Sequence, residues 1–319
     1  MLEDGTLLRA TVRGRLMGLR KSLGNALVVG DLARFEVGRV GESPTGRRRG
    51  HAEDATENVV VTEVEPRRNA FSRRASGRRP AEQVVAANLD QVVVVASVAS
   101  PAFSYGLTDR VLCQSEMAGL PARVVLNKMD LIAAGSTGRA EAGSILGVYA
   151  SAGYPGHALS ACTGEGIADL VEACRGSRTL FIGHSGVGKS TLLNALVPRL
   201  DLLIGRVNEK TGKGRHTTTA ALMVRPEPDF ELIDTPGVRA FGLWGIGPGN
   251  LDHAYREFRP FLDSCKFGDC SHTREPGCAV RAASDREIIP AIRYASYLKL
   301  REEIEQDSSG EHQRPRGLA

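Results

Sequence analysis

Gly183-His184-Ser185-Gly186-Val187-Gly188-Lys189-Ser190 is the stretch on which the fold turns. It follows the apolar run Thr179-Leu-Phe-Ile182 and precedes Thr191-Leu-Leu-Asn-Ala-Leu196, so a glycine-rich turn separates a strand from a helix. In that setting Gly-x4-Gly-Lys-Ser reads as a phosphate loop. Its glycines let backbone N–H groups turn inward around phosphates, and the helix N-terminus, where Thr191 continues the binding turn, favours negative charge. Lys189 is expected to reach the β- and γ-phosphates while the Ser190 hydroxyl ligates Mg2+. A chance glycine-rich turn has no reason to bring both strand and helix with it.

Downstream, Phe230-Glu-Leu-Ile233 runs into Asp234-Thr-Pro-Gly237. The Asp234 carboxylate is expected to hold Mg2+ or a Mg2+-bound water, with the Gly237 N–H meeting the γ-phosphate. Alone, such an Asp-x-x-Gly is an ordinary turn, so its meaning comes from the company it keeps. Between the two lies Lys210-Thr-Gly-Lys-Gly-Arg-His-Thr-Thr-Thr219, read as a switch that orders around Mg2+ and γ-phosphate. Thr218 is the preferred Mg2+ ligand there, with Thr217 and Thr219 as alternatives; the bland reading is a flexible basic loop.

Upstream, the strand Arg123-Val-Val-Leu126 leads into Asn127-Lys128-Met129-Asp130, and His157-Ala-Leu159 into Ser160-Ala161. Asp130 can accept from guanine N1–H and N2–H2, a donor pair adenine lacks, and unpaired polar groups make the wrong base costly. Lys128 can lie along the base plane, Asn127 can brace the phosphate loop, and the Ala161 N–H can reach guanine O6. Joined to a phosphate loop, these motifs favour GTP over ATP. Their order is rotated: in an ordinary GTPase the phosphate loop precedes the base-reading Asn-Lys-x-Asp, so this chain is expected to be a circular permutation.

Around these motifs, from Glu82 to Val238, apolar strands alternate with helical segments, which predicts a mostly parallel α/β sheet. Strands are expected at 91–97, 123–126, 157–159, 179–182, 220–224 and 230–233, with ligands beyond their carboxyl ends. Residues 1–80 read instead as short strands (7–12, 26–29, 32–35 and 59–65) of a small barrel, OB-type with a structural SH3-like barrel as the alternative. This part holds 16 Lys/Arg against 10 Asp/Glu in a chain whose total is only +4. Arg47-Arg48-Arg49, Arg67-Arg68, Arg73-Arg74 and Arg78-Arg79 could neutralise phosphates of a nucleic acid. Aromatic residues are scarce there, Phe35 and Phe71 alone, so backbone contacts are expected rather than base reading. The expected divisions are the barrel at 1–80, the nucleotide domain at 81–240, a mainly helical domain at 241–306 and a disordered tail at 307–319. Helices are expected over 250–261 and 285–305.

The last domain contains Cys265-x4-Cys270-x-His272-x5-Cys278, three thiolates and one imidazole, the donor set of a closed tetrahedral zinc site. A fourth protein ligand leaves no position for water, which argues for one structural ion. Buried reduced thiols and an iron–sulfur cluster are the alternatives. Cys113, Cys162 and Cys174 fall in or beside apolar stretches and read as buried thiols.

These motifs in this order, with Asn88-Leu-Asp-Gln91, Gly214-Arg-His-Thr-Thr-Thr219 and the Cys/His cluster, resemble the ribosome small-subunit-dependent GTPase A (RsgA) family over nearly the whole chain. The resemblance implies an OB domain, a permuted GTPase domain and a zinc domain, and a late role in small-subunit assembly. It implies GTP with Mg2+, the small ribosomal subunit and its rRNA as partners, and zinc on Cys265, Cys270, His272 and Cys278. Val238 stands where many GTPases carry a water-orienting Gln, so slow intrinsic hydrolysis is expected, completed by another group. His216 is the candidate, a phosphate- or RNA-contacting histidine being the alternative.

The leading reading is thus a GTP hydrolase stimulated by small subunits. The rival is a nucleotide-gated RNA-binding protein with incidental hydrolysis, and a GTPase of large-subunit assembly would leave both flanking domains unexplained. The longest apolar stretch falls far short of the roughly 20 residues of a membrane helix, and the N-terminus is acidic. A cytoplasmic monomer without membrane contact is the expectation. Because Asp234–Gly237 runs almost directly into the zinc domain, nucleotide state is expected to gate that domain's orientation.

Overall fold

The computed structural model describes residues 10–12, 27–38, 58–75, 81–133, 135–197, 221–238 and 241–312. At the N-terminal end β1 (Ala10–Val12) and β2 (Ala33–Gly38) flank β3 (Asn58–Val64), parallel and antiparallel to it respectively. No strand forms over the described residues of 26–29. Leu27–Gly30 instead make a turn, because the Asp31 carboxylate accepts the Val28 N–H at 2.8 Å and Gly30 takes φ +90°. A side chain at Gly30 would meet the Ala87 carbonyl oxygen at 2.1 Å, so only glycine allows the approach.

A hairpin of β4 (Ala70–Arg74) and β5 (Glu82–Ala87) follows, paired as its own two-stranded sheet. The boundary expected at residue 80 falls inside it. The main sheet comes next: β6 (Gln91–Ser97), β7 (Ala122–Asn127), β8 (Gly156–Ala158), β9 (Ser177–Gly183), β10 (Leu222–Glu227) and β11 (Phe230–Asp234). Its order is β10-β11-β9-β6-β7-β8, parallel except for β10.

Every residue of β6 is buried, as an apolar strand covered on both faces should be. Its period of two sorts the valines. Val92 and Val94 pack with Leu112 and Tyr149, on helices α1 (Tyr105–Met117) and α2 (Thr137–Ser151). Val93 and Val95 pack with Leu170 of α3 (Ile167–Cys174) and Leu192 and Leu193 of α4 (Lys189–Leu196).

The C-terminal region is less regular than its sequence pattern. The expected helix over 250–261 divides into 3-10 turns at Asp252–Ala254 and Arg256–Phe258 and a short α5 (Arg259–Leu262). Extended backbone at Tyr255 interrupts it, and Pro260 is tolerated only in a first helical turn. The helix expected over 285–305 is likewise two: α6 (Ala279–Asp285) and α7 (Ala291–His312), parted by Glu287 at φ 59° and by Pro290. Helix α7 outruns the expected start of the tail at 307. Its extension carries an ion pair from Asp307 to Arg74 of β4, preceded by the i,i+4 pair of Arg301 and Glu305. No helix among the described residues is long and apolar enough to cross a membrane.

Candidate guanine-nucleotide site and metal centre

The sheet brings Gly183–Ser190 and both segments expected to read the base to one edge, the carboxyl ends of β9, β7 and β8. Glycine is required twice in the loop. A Cβ at Gly183 would lie 2.2 Å from the Val95 carbonyl oxygen, and Gly188, with φ +85°, would press one to 2.6 Å from Asn127 Nδ2. Gly188 caps α4, so Lys189 begins the helix with its side chain buried while Ser190 and Thr191 remain exposed in the first turn.

Asn127 ties the parts together. It is 1 % exposed; its Nδ2 donates to the Val187 carbonyl at 2.9 Å and its Oδ1 accepts the Ala161 N–H at 3.0 Å. The Ala161 N–H, read from sequence as a guanine O6 donor, is thus engaged with Asn127. Lys128, at φ 69°, directs its ammonium onto the carbonyls of Ser100 (2.5 Å) and Gly186 (2.7 Å). Met129 is buried, and its N–H donates to the Leu159 carbonyl at 3.1 Å. Asp130 is exposed, and Ser160 Oγ donates to its Oδ1 at 2.5 Å, fixing the direction of the carboxylate.

On the other side of the loop Asp234 pairs with Lys189, both nearly buried. Burial pushes the Asp234 carboxyl up from its ordinary range, and the neighbouring ammonium opposes that rise. Thr235 Oγ1 donates to the Phe181 carbonyl at 2.8 Å. Gly237 faces Ser185, whose Cα would lie 3.0 Å from an added Cβ. Val238 forms a parallel β-bridge with His184, and its N–H donates to the Gly183 carbonyl at 3.0 Å. His216 and Thr218 lie outside the described residues, as do Thr217 and Thr219.

The four Cys/His donors converge. Cys265, Cys270, His272 and Cys278 place one ligand atom each within 4.8 Å of one another, the compactness a tetrahedral ion requires. Nδ1 of His272 faces the sulfurs, at 3.6 Å from Cys265 and 3.5 Å from Cys278. Its Nε2 meets Asp252 Oδ2 at 3.2 Å, a carboxylate that fixes ring orientation. Burial drives the Cys270 thiol up to about 12, whereas Cys265 is brought below its usual value despite burial by the Ala279 and Val280 N–H donors and neighbouring ligands. Donors aimed at sulfur suit thiolate. Asp252 had no sequence signal: a carboxylate partner for a ligating histidine is foreseeable in kind, but its position twenty residues upstream is not.

The arginines of the N-terminal region that are described bond within the chain. Arg67 grips the buried Asp31 carboxylate with two bonds, at 2.7 and 2.9 Å. Arg68 bonds Asp90 at 2.6 Å, Arg73 bonds Gln83 at 2.9 Å and Arg74 bonds Asp307 at 2.9 Å. Arg73 joins the two strands of the hairpin and Arg74 ties it to α7, while Arg67 and Arg68 secure the segment before it; Arg47–Arg49 and Arg78–Arg79 lie outside the described residues.

Residues 64–244 match the family model described as RsgA GTPase. The chain belongs to the RsgA GTPase family. A relative from Gemmatimonas aurantiaca, named small ribosomal subunit biogenesis GTPase RsgA, is 41 % identical over 95 % of this chain and 92 % of its own. One of the same name from Bacteroides fragilis is 35 % identical over the same shares. Among solved structures, YjeQ from Thermotoga maritima aligns with a TM-score of 0.68 at 30 % identity, covering 95 % of this chain and 91 % of that one. YloQ, described as a circularly permuted GTPase, aligns with a TM-score of 0.65 at 22 % identity, covering 98 % and 89 %, and bears on the fold alone. The RsgA architecture accounts for the rotated order of motifs: a permuted GTPase domain with strands before it and a helical Cys/His domain after it.

Proposed function

We propose that this chain hydrolyses GTP to GDP and phosphate and that small ribosomal subunits stimulate it during their late maturation. The observation that carries the guanine site is Asn127, which joins the phosphate loop at Val187 to the base loop at Ala161 through one buried amide. Asp130, oriented by Ser160, accepts from the guanine edge, and Lys128 flanks the base. The phosphate loop from Gly183 through Ser190, with Thr191, surrounds the phosphates. Phosphate entry gives the Lys189 ammonium a new anion and leaves the Asp234 carboxylate for the metal side. Ser190 and Asp234, with Thr218 as the third candidate, would hold Mg2+, which would supply positive charge beside the phosphates.

Val238 brings no group that could orient water, so another group must act, with His216 the candidate within the chain. The same valine favours a second reading, a nucleotide-gated RNA-binding factor whose hydrolysis is incidental. Cys265, Cys270, His272 and Cys278 would hold one zinc ion as a structural clamp. Partners are the small subunit and its rRNA; the protein would act as a cytoplasmic monomer. Gripping of rRNA falls to the zinc domain and to barrel arginines other than those engaged as internal braces.

Steady-state hydrolysis of GTP, with ATP as control, tests the reading on the protein alone, with small subunits and with large subunits. Stimulation by small subunits only is expected. GTP binding without stimulation would overturn the enzymatic reading in favour of the gated binder.

A further inference from the structure

Arg293, near the start of α7, is 0 % exposed. Its guanidinium ion-pairs with Asp109 of α1, also 0 % exposed, and its Nε donates to Glu257 Oε1 at 2.6 Å. It lies over the rings of Tyr255 (4.6 Å) and Tyr149 (5.4 Å). Tyr149 OH donates to the same Asp109 at 2.9 Å. One side chain of the metal-bearing region is thus embedded in two helices of the nucleotide domain. Cys113 of α1 extends this contact, packing in the apolar core of the C-terminal region with Leu251, Tyr255 and Phe258.

The other end of α1 reaches the nucleotide site. The segment 98–104 leads from β6 into the helix, and the Val98 N–H donates to the Asn127 carbonyl at 3.2 Å. Ser100 supplies one of the two carbonyls that hold the Lys128 ammonium, and Phe103 packs on Tyr105 (4.9 Å) and Tyr149 (6.0 Å). Ser104 caps the helix, accepting the Leu107 N–H at 3.3 Å. On its far side α7 is fixed to the metal loop: Tyr294 OH donates to the His272 carbonyl at 2.8 Å and Tyr297 OH to the Ser271 carbonyl at 2.9 Å.

We propose that Arg293 is a positioning residue for guanine-nucleotide binding, acting through Asp109 and Tyr149 on the segment 98–104 and so on the carbonyl that holds Lys128. The inference rests on the guanine reading given above. A buried ion cluster is poor value as stability alone, since well-packed aliphatic side chains serve that end as well or better. It does fix direction, because a planar guanidinium bonded to two carboxylates and stacked on two rings leaves α1 one seat. The metal region then forms one body with the nucleotide domain at this contact, and its integrity is felt at Lys128.

A double-mutant cycle on the full-length, zinc-loaded protein tests this, with affinity for a fluorescent GDP analogue as the readout and zinc content and thermal melting as controls. Arg293→Met should weaken GDP binding on the order of tenfold with zinc retained, Lys128→Ala should weaken it at least as much, and the double variant should match Lys128→Ala alone. Arg293→Lys should restore only part of the loss. Unchanged affinity in Arg293→Met, or losses that multiply in the double variant, would overturn the inference. Should Arg293→Met fail to fold, Asp109→Asn, which keeps volume and the Tyr149 contact, is read in the same cycle by the same criteria. A wild-type protein that binds no GDP, or a Lys128→Ala variant that binds it normally, overturns the guanine reading itself and the inference with it.

Discussion

Replacing Asn127 by alanine should cost this protein its nucleotide while sparing its fold. The two closest backbone partners of the side chain are the Val187 carbonyl at 2.9 Å and the Ala161 N–H at 3.0 Å, with the Gly188 carbonyl farther off at 3.4 Å. Each buried group left without a partner costs about 1–3 kcal/mol. Val187 is 2 % exposed and bears its share in full, whereas Ala161 is only partly buried and recovers some of its loss from water. A total of about 2–3 kcal/mol follows, or roughly a thirty- to 150-fold rise in Kd if the loss falls on the bound state. Asn127→Asp sharpens the test: it keeps the acceptor for Ala161 but sets a carboxylate oxygen against the Val187 carbonyl, so it should bind no better than alanine. Fluorescent-GDP titrations at 25 °C with parallel melting curves measure both. A Kd for Asn127→Ala within threefold of wild type would refute the argument that this amide joins the two loops.

Gly188→Ala forces a side chain into φ +85° and to 2.6 Å from Asn127 Nδ2; it should lower Tm, reflecting about 1–2 kcal/mol of backbone strain, and weaken nucleotide in the same titration. Asp252→Ala should lower zinc affinity by about 10–100-fold, read by competition with a chromophoric chelator, without directly altering the nucleotide pocket. His157 is held below its ordinary 6.5 first by burial and then by the charge of Arg123. The unfolded chain therefore takes up its proton at higher pH than the folded one. The stability contributed is full above about 6.5 and declines as pH falls through and below that value; His157→Gln should flatten this part of a denaturant-midpoint profile.

What could be read from sequence followed locality. The strand 91–97 was legible to the residue, because seven apolar or capping positions in a row have no other use in an α/β sheet. The glycine turn between β9 and α4 and the convergence of the four Cys/His side chains were legible because residue type and spacing are fixed together. The turn at Gly30-Asp31 was not, since it depends on Ala87 and Arg67, distant in the chain. The arginine pairs 67–68 and 73–74 invited a reading as phosphate contacts because a charge run carries no record of its carboxylate partners; Asp31, Asp90 and Asp307 emerge only with the fold. The break between α6 and α7 had a local sign in Pro290, outweighed by the helical pattern on either side. Asp252 and Arg293 were invisible for the same reason as the turn: their roles exist only between segments.

The single β-bridge between His184 and Val238 turns the segment after Asp234 into a latch with a defined release. Strand pairing is present or absent, so this segment cannot drift away from the phosphate loop by small degrees; it must give up the bond from the Val238 N–H to the Gly183 carbonyl, worth about 1 kcal/mol net. A charge-assisted contact from one phosphate oxygen to a backbone N–H is worth about 1.5–3 kcal/mol. The cost of opening this clasp, two residues long, is thus no larger than what one such phosphate contact supplies.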